Sequence, residues 1–134
     1  MSFQKSNRNY AAEILQIIED AKKEYSEMTK HHKIVDDEYN DLTHAFEFLK
    51  MNAAEMVVKA GEMKRNRTER RQCRESLELT ESFMKWCDNK PHVLKELRDI
   101  AREVEGCKKK QANRIYVPRV RTELTQRFRK DTGR

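Results

Sequence analysis

Lys50-Met51-Asn52-Ala53-Ala54-Glu55 is the stretch whose reading decides the fold. It interrupts an apolar seam that steps by four and three residues through Ile14, Ile18, Ala21, Tyr25, Met28, His32, Val35, Tyr39, Leu42, Phe46 and Leu49, then through Ala53, Met56, Ala60 and Met63. An average period of 3.5 marks a long helix that packs against another helix. Asn52 with Glu55 three residues later resembles a capping box, which opens a new helix. With that signal the chain reverses near Met51. Without it, one helix would run from about Asn7 to Asp88, roughly 120 Å at 1.5 Å per residue.

Register favours the reversal. Folding at Met51 sets Leu49 opposite Ala53, Phe46 opposite Met56, Leu42 opposite Ala60, Tyr39 opposite Met63, Tyr25 opposite Leu77, Ile18 opposite Met84 and Ile14 opposite Cys87. The polar break at His32 then falls opposite Arg67 and Arg70, with Asp36 one turn away to pair with them. His32, Asp36, Arg67 and Arg70 therefore form an expected polar layer, which fixes register at some loss of stability. A parallel dimer of one continuous helix would instead stack Arg67 and Arg70 on their own copies.

Outward from the hairpin, Ser6 or Asn7 is the expected cap of the first helix. Leu77, Leu79, Phe83, Met84, Trp86 and Cys87 are expected to build most of the core at the open end. Pro91 suits the first turn of a third helix, whose apolar stripe is Val93, Leu94, Leu97, Ile100, Ala101 and Val104, and Gly106 reads as its stop. Lys108 to Lys110 read as a solvated linker, Ile115 to Pro118 as extended chain, and Val120, Leu124 and Phe128 as a short terminal helix. The expected fold is all-α: a long antiparallel, coiled-coil-like hairpin with a third short helix and a basic C-terminal segment. The corresponding divisions are 1–106 and 107–134.

Composition agrees with helices. Of 134 residues 39% are charged, while Gly numbers three and Pro two. Such balance fits long helices with solvated faces better than a sheet. Cys73, Cys87 and Cys107 are widely spaced and odd in number, which points to a reducing compartment without a disulfide framework. The N-terminal stretch lacks the apolar core of a signal peptide, and no run approaches the length of a membrane span. A cytoplasmic location, away from membranes, is the expectation.

Net charge is +6, unevenly spread. From 107 onward Lys108, Lys109, Lys110, Arg114, Arg119, Arg121, Arg127, Arg129, Lys130 and Arg134 face only Glu123 and Asp131, about +8, which leaves the body slightly acidic. Arg114, Tyr116, Arg119, Arg121, Arg127, Phe128 and Arg129 interleave cations with aromatics, as DNA- and RNA-backbone binders do. A second basic stretch, Arg65, Arg67, Arg70, Arg71 and Arg74, is a candidate anion or partner stripe. Catalytic and metal signals are absent from the sequence. His32 with Asp36 and Asp41 with His44 lack the matching motifs on a second helix that a di-iron bundle needs. No Cys/His cluster has zinc spacing, and no nucleophile motif or phosphate loop occurs. The expectation is a non-enzymatic protein without a cofactor. Ile34, Phe48, Val57 and Val58 fall off the seam, so a hairpin leaves apolar surface for a second copy or a protein partner.

Asn52-Ala53-Ala54-Glu55 through Arg70-Arg71-Gln72-Cys73-Arg74-Glu75-Ser76-Leu77 resembles a pattern in short helical proteins of phages and prophages of Gram-positive bacteria. The resemblance implies a small accessory protein that binds another protein or a nucleoprotein, and carries no site residue with it. Three readings follow: an oligomeric protein-binding module, a nucleic-acid-binding accessory protein using 107–134, and an inhibitor of a host protein.

Overall fold

The computed structural model describes residues 2–132. They form four helices, α1 (Tyr10–Phe48), α2 (Ala53–Asn89), α3 (Pro91–Ala112) and α4 (Thr125–Thr132), with a 3-10 turn at Thr122–Leu124 and no strand among the described residues. Arg134 lies outside the described residues. The chain divides into two compact units. One is Gln16–Pro91; the other joins the first fifteen residues to everything from His92 onward.

The Gln16–Pro91 unit is the antiparallel hairpin of α1 and α2. It reverses where the capping signal puts it. Asn52 is extended (φ −78°, ψ 172°) and its side chain accepts the Glu55 backbone N–H at 2.8 Å. That bond satisfies one of the orphan donors of the first turn of α2. Three cross-links set the register: Asn66 Nδ2 donates to the Val35 carbonyl at 3.0 Å, Arg70 Nε to Asp36 at 2.7 Å, and His31 lies 2.6 Å from Glu69.

On α1 the expected seam holds from Ile18 to Leu42. Ile18, Val35 and Leu42 are buried, and Ala21, Tyr25, Met28, His32 and Tyr39 are half-buried. On α2 the phase differs by one residue at alternate steps. The buried and half-buried row is Met63, Asn66, Arg70, Cys73, Leu77, Thr80, Met84 and Cys87. Arg67 therefore leaves the seam and Asn66 enters it. The choice is physical: Met63, Arg70, Leu77 and Met84 belong to either phase. The remaining places are filled by Asn66, Cys73, Thr80 and Cys87 in one phase, and by Arg67, Arg74, Glu81 and Asp88 in the other. Small and weakly polar side chains are far cheaper to bury than charges.

The seam does not persist to the reversal. Phe46, Leu49, Ala53, Met56 and Ala60 are exposed, although sequence periodicity pairs them across the hairpin. Lys59 rather than Ala60 is half-buried, as the observed phase of α2 demands. The open end also differs. Cys87 is buried and Met84 half-buried, but Leu79 is 85% exposed, and Phe83 and Trp86 stack on each other (6.2 Å between rings) while remaining partly exposed.

In the other unit, Asn9 rather than Ser6 or Asn7 caps α1, accepting the Ala12 N–H at 3.2 Å. The same side chain donates to the Ala101 carbonyl (2.9 Å) and to Glu105 (3.2 Å), and Lys5 donates to Gln111. The leading segment is thus fastened antiparallel along α3. The bond from Asn9, followed by the Lys108 ion pair, holds the Glu105 carboxyl below its usual range. Gly106 does not end α3. One glycine inside a helix costs only about 1 kcal/mol relative to Ala. Lys108 bridges back to Glu105 at 3.2 Å, and Lys109 and Lys110 occupy the last turn, where cations suit the helix dipole. The boundary drawn after Gly106 therefore falls inside α3, and Lys108 to Lys110 are helical rather than linker. Beyond Asn113 the chain is non-helical to Arg121, with Pro118 buried. Phe128 lies in α4 and Leu124 in the 3-10 turn, while Val120 is exposed outside both.

Candidate functional site

Three surfaces carry the residues singled out by sequence. The first lies on the hairpin, where Arg67, Arg70, Arg71 and Arg74 line one shallow depression. Their spacing of three, four and seven residues puts them on one face of α2. Arg70 is the fixed member: Asp36 holds its Nε, and its guanidinium carbon lies 4.2 Å from the centre of the Tyr39 ring. Arg67 reaches the same ring at 6.0 Å and keeps the Tyr39 hydroxyl below its usual range by hydrogen bonding and charge. Arg71 and Arg74 are exposed and form no ion pair among the described residues. Arg65 is not part of this group. It lines a separate depression with Lys64, Thr68, Glu69 and Gln72.

The expected polar layer assembles around Asp36. Its two carboxylate oxygens face Arg70 (2.7 Å) and His32 Nδ1 (3.4 Å). Arg67 contributes through Tyr39 instead of through the carboxylate. Asn66 is the member that sequence reading missed. It is 2% exposed, and its Oδ1, like His32 Nε2, is buried without a hydrogen-bond partner among the described residues. Contrasting the residue types at 66, 73, 80 and 87 with those at 67, 74, 81 and 88 is the signal that finds it.

Cysteine chemistry follows the same phase. Cys73 is buried in the seam, and desolvation, with Glu69 and Asp36 adding, pushes its thiol up. Cys87 is buried and Cys107 exposed. A maleimide or disulfide reagent should modify one thiol per native chain rapidly, at Cys107, and reach Cys73 and Cys87 only on unfolding. Mass spectrometry of the modified peptides checks this. Rapid modification of Cys73 would contradict the observed phase of α2.

The second surface is the closed end of the hairpin, where Phe46, Phe48, Leu49, Met56, Val57 and Val58 are all exposed; Phe48 and Val57 each reach 72%. They belong to the last turn of α1, the connection and the first two turns of α2.

The third is the basic segment. Lys108 pairs with Glu105, Arg121 with Glu123, and Arg127 with Asp131 at 3.3 Å. Lys109, Lys110, Arg114, Arg119 and Arg129 are exposed and make no ion pair among the described residues. Tyr116 and Phe128 pack edge to face on each other, 5.2 Å between ring centres, so the two rings are not separate stacking platforms.

No group of three metal-ligating side chains occurs among the described residues, and no helix there is long and apolar enough to cross a membrane. The arginine depression holds about 250 Å³ and is open, against roughly 300–1,000 Å³ for pockets that bury a small molecule. No protein-family model, curated protein or solved structure matches the chain.

Proposed function

We propose that this is a non-enzymatic, self-associating helical interaction protein that binds another protein, a small accessory protein of phage type. The observation that carries the reading is the closed end of the hairpin. Six large apolar side chains gather there over thirteen residues and stay in water. Scattered surface apolar residues need no explanation, but six within thirteen residues at one end of a hairpin support an interaction surface. In a Cys107→Ser background, Val57→Cys should form a disulfide-linked pair of chains under mild oxidation, and a Glu19→Cys control should not. Equal cross-linking at the two positions, or none at Val57→Cys, contradicts self-association through this end.

A second reading, nucleic-acid binding by the basic segment, draws support from the exposed cations that remain after its internal ion pairs. Because Tyr116 and Phe128 are engaged with each other, this reading rests on the phosphate backbone and expects binding without sequence preference.

A further inference from the structure

We propose that the depression formed by Arg67, Arg70, Arg71 and Arg74 on α2 is a binding site for the phosphodiester backbone of nucleic acid, separate from the basic C-terminal segment. It rests neither on the self-association reading nor on that segment, which belongs to the other unit.

Folding does not call for this group. Four guanidinium groups on one helix face repel one another, and Asp36 is the one carboxylate paired with any of them among the described residues. Arg70 and Arg67 have intramolecular tasks at Asp36 and Tyr39. Arg71 and Arg74 have none, yet they extend the same row over the next turn. The result is a patch of positive charge offset by one carboxylate, Asp36 at Arg70, with two preorganised members. Arg70 is held in place by Asp36 and the Tyr39 ring, so little side-chain freedom remains to be lost on binding. Arg67, for its part, lies 6.0 Å from the centre of the Tyr39 ring.

The lining identifies the ligand class. Every side chain around the depression is arginine, whose planar fork matches phosphate oxygens. Hot spots of protein interfaces combine Trp and Tyr with Arg, and this depression offers arginine alone. The nearby aromatic ring, Tyr39, is already covered by Arg70 and Arg67. A shallow, open and purely cationic surface suits a backbone tracked by charge and does not read bases.

The test measures anisotropy of labelled duplex DNA, duplex RNA and single-stranded DNA of arbitrary sequence, with the full chain, across a salt series. Three variants accompany the wild type: Arg71→Gln/Arg74→Gln, Arg71→Lys/Arg74→Lys, and Arg119→Gln/Arg129→Gln in the other unit. Both glutamine and lysine are good helix formers, and unchanged circular dichroism verifies each fold. The expected result is wild-type binding that weakens steeply with salt. The slope of log K against log salt on duplex DNA should become shallower by about 1.8 in Arg71→Gln/Arg74→Gln, at about 0.9 per phosphate contact. Affinity at low salt should fall at least tenfold, and the lysine variant should restore most of the slope. Loss confined to Arg119→Gln/Arg129→Gln would move the site to the C-terminal segment and overturn the proposal. So would an absence of wild-type binding, or retention of an acidic polyglutamate instead of nucleic acid.

Discussion

Replacing Val57 and Val58 together by Glu should convert the protein to a monomer while leaving its helicity unchanged. Both side chains point to solvent within the chain, at 72% and 58% exposure, so neither holds the hairpin together. Glu is as good a helix former as any residue but Ala, and its charge near the N-terminus of α2 suits the helix dipole. Burying a valine side chain stabilises by about 1.5–3 kcal/mol. Two chains meeting through this end bury at least two such side chains each. Even a discounted loss of about 4 kcal/mol weakens association by roughly 10³-fold, before repulsion between the new carboxylates. Light scattering with circular dichroism checks both halves of the expectation. A variant that keeps the mass of an oligomeric wild type would contradict association through this end.

The second large effect separates neighbours in the sequence. Val35→Asp should unfold the hairpin, and Ile34→Asp should hardly change it. Val35 is 2% exposed and its carbonyl receives Asn66, whereas Ile34 is 63% exposed. An unpaired carboxylate in the seam costs several kcal/mol, and Asp36 beside it makes ionisation harder still. The core is small. Among buried apolar residues the hairpin has Ile18, Val35, Leu42, Cys73 and Cys87, so a loss of that size consumes much of a marginal stability. The Ile34 substitution should fall within about 0.5 kcal/mol, as exposed sites do. Chemical denaturation followed at 222 nm measures both. Equal destabilisation would refute the observed phase of α1.

That phase was legible in the sequence because the α1 seam is made of apolar side chains at every step except His32. The reversal was legible because Asn52 and Glu55 state it locally. On α2 periodicity alone was ambiguous. Its small and polar seam residues, Asn66, Cys73 and Thr80, carry little hydrophobic signal, so the neighbouring arginines looked equally placed. What decides between them is the cost of burying charge, which a list of apolar positions does not weigh. Gly106 misled for a related reason. A glycine marks a helix stop when the backbone needs a left-handed turn, and here the cations of the next turn favour continuation. The exposed closed end inverts the expectation for Phe46, Leu49 and Met56. Their spacing is that of a seam, but the seam has already opened before they reach it. The arginine group was half legible: four of five candidates share a face, and Arg65 falls on another by its spacing.

Sedimentation equilibrium of the unmodified chain at micromolar concentration decides whether it self-associates through the closed end of the hairpin. The expected result is a mass at least twice that of one chain, falling to the single-chain mass for Val57→Glu/Val58→Glu under the same conditions. A wild-type protein that sediments only as a monomer would contradict it.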